Sequence, residues 1–297
     1  MEEQDEAAAA SESAREGMKL ASALHCVVWL TRTSAALLRT LLLAPRRLPQ
    51  LCQAVLDHHV QTTTPELTHR TLEEFLTYQY DLRDAVDIDA ALPIVVGERN
   101  VTLGEALVLS ALVKATRARR VLEIGTFRGW TSYLLASAVG TGGEVLTLDL
   151  PPRTKTGYPV EKRDVYGLSE ADVGSTFKTL PLHGAEVIQL WGDSATFDFS
   201  PWEGGIDMVL VDGAHTKEYV RNDTARALDV ARDGGLVVWH DLKSSCPGVI
   251  SVLSELGRRL DLCHIVGTSL VVHVKRPQPG VSGGKAAPRP PLATGAP

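Results

Sequence analysis

The chain has 297 residues, of which 44% are hydrophobic and 22% charged, so it can form one large domain with appendages. Its formal net charge of -6 argues against a nucleic-acid-binding surface, which needs clustered lysine and arginine. The four cysteines include no C-x-x-C pair, so they predict neither a zinc knuckle nor a disulfide framework. We therefore expect a globular protein of the reducing cytoplasm with a small-molecule substrate, and no nucleic-acid partner.

The first hundred residues are predicted to be a helical appendage. Residues 1–17 are rich in Ala and Glu, which predicts a disordered leader without an export signal. Residues 18–100 predict helices, and the most apolar of these, over 20–43, is interrupted by histidine and arginine side chains. We interpret it as an amphipathic helix that packs on the protein or on a second subunit of a homo-oligomer. Peripheral membrane contact is the less favoured alternative.

Residues 121–152 predict one parallel strand–helix–strand unit. An apolar strand leads into Gly125, a helix with apolar spacing follows Gly129, and a second strand ends at Asp149. The two glycines allow a sharp turn and the close approach of a ligand. Because Asp149 follows the second strand, its carboxylate can accept hydrogen bonds from both hydroxyls of a ribose. The unit therefore predicts a site for an adenosine-type cofactor.

The remaining pattern predicts an α/β fold with a doubly wound sheet of seven strands. Before the unit, Thr102 and Glu105 form a capping-box pattern that begins a helix over 103–118. After it, strands and helices alternate, and a hairpin over 262–274 makes the last strand antiparallel. The strands are predicted at 187–190, 206–211 and 236–239, and the helices at 170–180, 217–231 and 247–260.

Two segments are predicted to lie outside this regular pattern. Residues 151–180 begin with a long irregular stretch. Two interpretations of it are possible, a lid over the site and a surface excursion. Residues 276–297 are rich in Pro and Gly and predict a disordered tail.

An acidic residue is predicted at the end of each of five parallel strands. Because these ends meet at one edge of the sheet, the five carboxylates should surround a single site. The residues are Glu123, Asp149, Asp193, Asp212 and Asp241. Two short motifs, Asp212-x-x-His215 and His240-Asp241, add imidazoles to this edge. An imidazole with a pKa of about 6.5 suits proton removal near neutral pH, and the carboxylates suit Mg²⁺.

The motif Glu123-x-Gly125-x-x-x-Gly129 and the strand ends after it resemble the class I S-adenosylmethionine-dependent methyltransferases. The resemblance covers residues 102–274 and implies a Rossmann-like methyltransferase domain over 101–275. Within this family, the chain is similar to the small-molecule O-methyltransferase branch, which has macrolide-sugar and cephalosporin-hydroxylase-like members. The resemblance implies S-adenosylmethionine as cofactor. The residues that it assigns to this cofactor are Glu123, Gly125, Thr126, Gly129, Asp149, Asp193 and Asp212.

The catechol and macrolide-sugar enzymes further imply catalytic and metal-binding roles. Carried over by position, Asp212 and Asp241 would bind Mg²⁺ or another divalent cation, and His215 would be the base, with Asp212 beside it in the catalytic pair. The chain has His240-Asp241 where the sugar branch has Glu-Asp, and Asp241-Leu242 where the catechol branch has Asp-Asn. His240 is therefore either a third ligand, which favours Mn²⁺, Fe²⁺ or Zn²⁺, or a hydrogen-bonding group.

The sequence thus predicts an S-adenosylmethionine-dependent O-methyltransferase that acts on a hydroxyl of a small molecule such as a sugar, a polyketide or a phenolic. The alternative is a non-catalytic methyltransferase-like subunit that acts through its N-terminal helices.

Overall fold

The computed structural model describes residues 48–81, 101–165, 167–182 and 184–277. The predicted leader, the helix over 20–43 and most of the tail lie outside these residues. The chain divides into two units, residues 1–59 and 60–297. In the described part of the first unit, residues 48–59 are helical, and the predicted domain boundaries stay a prediction. In the ranges that the structure describes, no helix combines the length and the apolar character needed to cross a membrane.

The core of the second unit is a sheet in which eight described strands lie in the order β1-β7-β8-β6-β5-β2-β3-β4. Their bounds are Thr68–Arg70 (β1), Arg120–Ile124 (β2), Glu144–Asp149 (β3), Glu186–Trp191 (β4), Ile206–Val211 (β5), Ala231–Trp239 (β6), Cys263–Ile265 (β7) and Val271–Val274 (β8). All neighbouring strands are parallel except β8, which runs antiparallel to both β6 and β7. The predicted α/β architecture with an antiparallel last strand is confirmed.

One described helix, Leu48–Thr63 (α1), spans the boundary between the two units. Helices of the second unit cover both faces of its sheet. They are Leu72–Tyr80 (α2), Leu103–Thr116 (α3), Trp130–Val139 (α4), Ser175–Thr179 (α5), Lys217–Val230 (α6) and Pro247–Gly257 (α7). Successive strand residues alternate between two apolar clusters, so that Val121 packs with α3 and α4 while Leu122 packs with α6 and α7. Burial on both faces explains why the central strands are almost wholly apolar.

The edge strand β1 is the main departure from the predicted fold. Its three residues pair in parallel with β7, and Thr68 N–H donates to the Leu262 carbonyl over 2.9 Å. Two of the three side chains are exposed, so the strand has no apolar alternation that a sequence pattern could detect. The observed sheet therefore has eight strands where seven were predicted.

Two other element boundaries differ from the predicted ones. Gly174, with φ of 69°, directly precedes α5, so this helix is shorter than the predicted 170–180. The strand β6 begins at Ala231, directly after α6, and a register shift opposite Ile206 and Met208 accommodates its first residues. The capping box that begins α3 is confirmed, because Thr102 N–H donates to Glu105 over 2.8 Å and Glu105 N–H donates to the Thr102 hydroxyl over 3.2 Å.

Candidate active site

A cavity of about 370 Å³ opens at the carboxyl ends of β2, β3, β5 and β6, and we call it the rim cavity. It is lined by Gly125, Thr126, Phe127, Trp130, Thr131, Asp149, Leu150, Val160, Asp164, Asp212, Gly213, Ala214, His215, His240, Asp241, Lys243, Ser245 and Cys246. Ligands of open α/β sheets bind at this edge, where the strand order reverses. The structure brings six of the predicted side chains, together with Gly125, to this one cavity.

Gly125 joins the end of β2 to the turn that follows β5. Its φ is +105°, and a Cβ atom at this position would lie 2.1 Å from the Asp212 carbonyl oxygen. The neighbouring backbone is fixed by a 2.9 Å hydrogen bond from Asp212 N–H to the Ile124 carbonyl. Glycine is therefore required for the two strand ends to meet, which keeps the wall of the cavity free of side-chain atoms.

Two other predicted cofactor residues, Gly129 and Thr126, have close neighbours within the fold. Gly129, with φ of +74°, begins α4, and a Cβ atom there would overlap the Phe177 ring at 2.5 Å. The buried Thr126 hydroxyl lies 2.7 Å from the Thr147 hydroxyl and accepts from Gln189 Nε2 over 3.0 Å. Thr126 lines the rim cavity, whereas Gly129 does not.

Glu123 is fully buried below the rim cavity and is not part of its lining. Its Oε2 accepts hydrogen bonds from the Ser132 and Thr147 hydroxyls, the latter over 2.6 Å. Its Oε1 has no hydrogen-bond partner among the described residues. Burial raises the pKa of this carboxyl to about 8. The structure therefore gives Glu123 a supporting position where direct cofactor contact was predicted.

The neutral state of Glu123 predicts a pH-dependent stability. Because the folded pKa of about 8 exceeds the ordinary glutamate pKa of 4.5, the stability that the neutral carboxyl contributes is complete below pH 4.5 and is lost as the pH rises through 8. Glu123→Gln keeps the shape without the titration, so the free energy of unfolding of the wild type should fall relative to the variant by about 1 kcal/mol per pH unit within this window. Urea unfolding of both proteins at pH 5.5 and 7.5 measures the difference. If the difference in the free energy of unfolding between the two proteins is the same at both pH values, Glu123 stays ionised in the fold.

Asp149 presents a carboxylate to the rim cavity at the end of β3. Its Oδ2 accepts from Phe127 N–H over 2.8 Å and its Oδ1 from Leu150 N–H over 2.7 Å. Burial raises the pKa of this carboxyl in spite of these bonds. Each carboxylate oxygen has two lone pairs, so Asp149 can accept further hydrogen bonds from a diol.

Asp193 lies just past the end of β4 and does not line the rim cavity, but it lines a neighbouring pocket that shares Gly125 and Asp149 with the rim cavity. It accepts hydrogen bonds from the Tyr219 hydroxyl over 3.0 Å and from Gly157 N–H over 2.6 Å. The two residues after Gly157 make further contacts. Tyr158 packs edge-on against the Tyr219 ring, and the Pro159 carbonyl accepts a hydrogen bond from the Thr216 hydroxyl. The segment 151–165 therefore covers the position where Asp193 was predicted to meet an adenine ring.

His215 is held between two carboxylates. Its Nδ1 lies 2.6 Å from Asp164 Oδ1, and its Nε2 lies 2.6 Å from Asp241 Oδ2. Burial opposes the charge on the imidazole, but the two carboxylates outweigh it and raise the pKa of His215 to about 9. This corrects the expected pKa of about 6.5, because the imidazole is protonated at neutral pH while both contacts are made.

His240 and its neighbours form a second charged group at the ends of β5 and β6. Its Nδ1 lies 2.9 Å from Asp212 Oδ1 and 3.4 Å from Asp241 Oδ1, and its Nε2 lies 3.4 Å from Glu105 Oε2. Burial disfavours the charged imidazole, but the surrounding carboxylates raise the pKa of His240 well above its usual value. Asp241, with φ of +65°, also accepts from Lys243 Nζ over 2.5 Å. Two cations, His240 and Lys243, thus lie among three carboxylates.

The three predicted metal ligands fit a divalent cation. Asp212, His240 and Asp241 each offer one atom, and these atoms lie within 4.8 Å of one another. Ligands in adjacent positions of an octahedral ion with bonds of about 2.1 Å are separated by about 3.0 Å. The distances of 2.9 and 3.4 Å from His240 Nδ1 to the two carboxylates are close to this value. A cation bound here would take over the charge balance that the His240 proton provides.

Three charged members of the site, Asp164, Glu105 and Lys243, carry no functional motif in the sequence. Asp164 lies 51 positions before His215, and no motif connects them. Glu105 belongs to the capping box, and its second oxygen accepts from Ser269 N–H over 2.9 Å. Lys243 follows Asp241 by two residues, so its closeness to the predicted ligand was the one available signal.

Comparison with known proteins supports this description. A family model described as a methyltransferase domain matches residues 122–242, which include every predicted site residue. Over residues 122–242 the chain is therefore similar to methyltransferase domains. The chain is 26% identical over 147 residues to a flavonoid 3',5'-methyltransferase of Vitis vinifera, covering 48% of this chain and 55% of the relative.

Other relatives of this domain have similar names. Over 75 residues the chain is 39% identical to a catechol O-methyltransferase of Mycobacterium tuberculosis, covering 25% of this chain and 34% of the relative. It is 27% identical over 135 residues to caffeoyl-CoA O-methyltransferase 2 of Petunia hybrida, covering 45% of this chain and 50% of the relative. The chain thus spans about half the length of the curated relatives, or less. An O-methyltransferase of Bacillus cereus in complex with SAH is a structural neighbour at 22% identity and a TM-score of 0.43. The match covers 75% of this chain and 98% of the neighbour.

Proposed function

We propose that the protein is an S-adenosylmethionine-dependent O-methyltransferase that acts on a hydroxyl of a small molecule. The observation that carries this proposal is the rim cavity inside the matched domain, in which Asp149, Asp241 and His215 face one space. S-adenosylmethionine supplies a sulfonium-bound methyl group to such a site. The protein then has to position the acceptor oxygen and to remove its proton.

The ends of β2 and β3 are the part of the cavity suited to the cofactor. Asp149 can accept the two hydroxyls of a ribose, and the absence of a side chain at Gly125 allows a ligand to approach the backbone. The segment 151–165 covers the rim next to Asp149 and contacts Asp193 and Tyr219. These contacts support the lid interpretation of residues 151–180, in which the segment shifts when the cofactor enters.

A phenolic hydroxyl is the acceptor class that we favour. Flavonoid, catechol and caffeoyl-CoA are the terms in the names of three relatives, and all three compounds carry phenol groups. The cavity lining supports this choice, since Phe127 and Trp130 supply aromatic surface beside the charged groups. The charged groups would then face the hydroxyl and the aromatic side chains the ring.

His215 is the residue best placed to remove the hydroxyl proton. Once the His215 imidazolium has released its proton to solvent, Nε2 can accept a proton from an acceptor hydroxyl in the cavity. Asp164 keeps its contact with Nδ1, which holds the orientation of the ring and stabilises the charge that forms. Asp212, His240 and Asp241 would hold a divalent cation, which lowers the pKa of a bound hydroxyl.

Asp149→Ala should weaken S-adenosylhomocysteine binding by about tenfold or more, because two hydrogen bonds to a charged acceptor are lost. Titration calorimetry on the full-length protein measures this. Asp198→Ala is the matched control, since Asp198 also accepts a backbone N–H in a loop but lies outside the rim cavity. Equal affinities of the Asp149 variant and the wild type would remove this residue from the cofactor site.

The same titration on the wild type, with and without Mn²⁺, tests the proposal as a whole. Micromolar binding of S-adenosylhomocysteine is expected, followed by methyl transfer to a catechol probe. Absence of binding in both conditions would favour the non-catalytic subunit.

A further inference from the structure

We propose that His215, Asp241 and Cys246 form a second metal site, which binds Zn²⁺ or Co²⁺ in preference to Mg²⁺. An imidazole nitrogen, a carboxylate oxygen and the Cys246 sulfur lie within 4.8 Å of one another. All three side chains line the rim cavity, so an ion can reach them from solvent. This set shares only Asp241 with the group of Asp212, His240 and Asp241.

The contact between Asp164 and His215 is the feature that points to a metal. A histidine that binds a metal through one nitrogen usually donates its other N–H to a carboxylate, which fixes the tautomer and the ring orientation. Here Nδ1 lies 2.6 Å from Asp164 Oδ1, and the Asp164 side chain is only 4% exposed. Nε2 therefore points toward Asp241 Oδ2, 2.6 Å away. An ion between these atoms would replace the proton that they share.

Cys246 is held in place to supply the third ligand. It is 3% exposed and precedes Pro247, the first residue of α7. Its backbone N–H donates to the Lys243 carbonyl over 2.8 Å, which closes the turn after Asp241. A tetrahedral zinc ion with bonds of about 2.0–2.3 Å separates its ligand atoms by about 3.3–3.8 Å. Side-chain rotations that move the three ligand atoms by up to about one ångström bring them to this spacing.

The ligand types determine which ion is preferred. A thiolate and an imidazole favour Zn²⁺ and Co²⁺, whereas Mg²⁺ prefers oxygen ligands and retained water. The two sets use different oxygens of Asp241, since Oδ1 faces His240 and Oδ2 faces His215. Ion binding does not depend on the proposed methyl transfer. The functional consequence of ion binding does rest on the proposed methyl transfer. A His215 that binds an ion could not accept the proton of the acceptor hydroxyl, so Zn²⁺ would inhibit the reaction.

Cobalt binding to the full-length protein tests the site directly. In a background with Cys26→Ser and Cys52→Ser, one equivalent of Co²⁺ should produce a thiolate-to-cobalt charge-transfer band, and Zn²⁺ should remove it. Adding Cys246→Ser should abolish the band and weaken Zn²⁺ binding by at least tenfold. Two controls should retain the band: Cys263→Ser, which changes another buried cysteine outside the cavity, and Asp212→Asn, which changes only the other ligand set.

Several outcomes would overturn the proposal. These are a background protein without the band, a band that persists in the Cys246→Ser protein, or one that disappears with Asp212→Asn. If Cys246→Ser does not fold, Asp164→Asn serves as the second test. It should weaken Zn²⁺ binding by about 10- to 100-fold while the band of the saturated protein is retained. Wild-type affinity in the Asp164→Asn protein would contradict the proposed orientation of His215.

Discussion

Gly125→Ala is expected to abolish S-adenosylhomocysteine binding and to lower the free energy of unfolding by at least about 3 kcal/mol. The new Cβ atom would lie 2.1 Å from the Asp212 carbonyl oxygen and 3.0 Å from Gly213 Cα, both of which are backbone atoms. These atoms cannot rotate away, so the ends of β2 and β5 would have to separate. The φ of +105° adds a conformational cost for any residue other than glycine.

Gly267→Ala is the matched control for this substitution. Gly267 lies between β7 and β8 with φ of +86°, and no atom lies within 4 Å of the position of its added Cβ. Its variant should therefore show only the conformational cost of about 1 kcal/mol, with unchanged ligand binding. Urea unfolding and titration calorimetry of both variants measure the contrast. Equal losses of stability would indicate that the strand ends can open to accommodate a side chain at Gly125.

The arrangement of the strand ends could be predicted because it depends on local patterns. Apolar runs indicated the central strands, and an acidic residue marked where each strand ends. Parallel topology then places those ends at one edge without any knowledge of side-chain contacts. Asp149, Asp212 and Asp241 were located in this way, and the structure brings all three to the rim cavity.

Side-chain orientation at the same edge could not be predicted from position. Asp193 ends its strand as expected, yet its carboxylate is engaged by Tyr219 and Gly157 and does not line the rim cavity. Glu123 also has the expected position, but its side chain turns inward to Ser132 and Thr147. Topology thus determines the place of a residue, whereas neighbours from distant segments determine which way it faces.

The protonation of His215 illustrates the same dependence on distant segments. From the sequence, this residue was a base with an ordinary pKa, because only its own motif was visible. The structure adds Asp164 from the segment 151–165, and this second carboxylate helps to raise the pKa to about 9. The ionisation of a catalytic group is therefore a property of the tertiary contacts, which no local pattern contains.

His215→Gln is expected to reduce methyl transfer by about two to four orders of magnitude, with S-adenosylhomocysteine affinity nearly unchanged. Glutamine keeps hydrogen-bonding groups in the cavity but cannot accept a proton near neutral pH. Because the folded pKa of His215 is about 9, the kcat/KM of the wild type should rise with pH until about 9, as the neutral imidazole becomes populated.

Asp164→Asn separates this role from a purely structural one. It removes one of the two carboxylates that raise the His215 pKa, so the increase in kcat/KM should move to lower pH while the imidazole remains in place. Steady-state rates from pH 6 to about pH 10 measure both variants. A His215→Gln protein with wild-type turnover would exclude the imidazole as the base. An unshifted profile in Asp164→Asn would show that the increase belongs to another group, of which Lys243 is the nearest cation to Asp241.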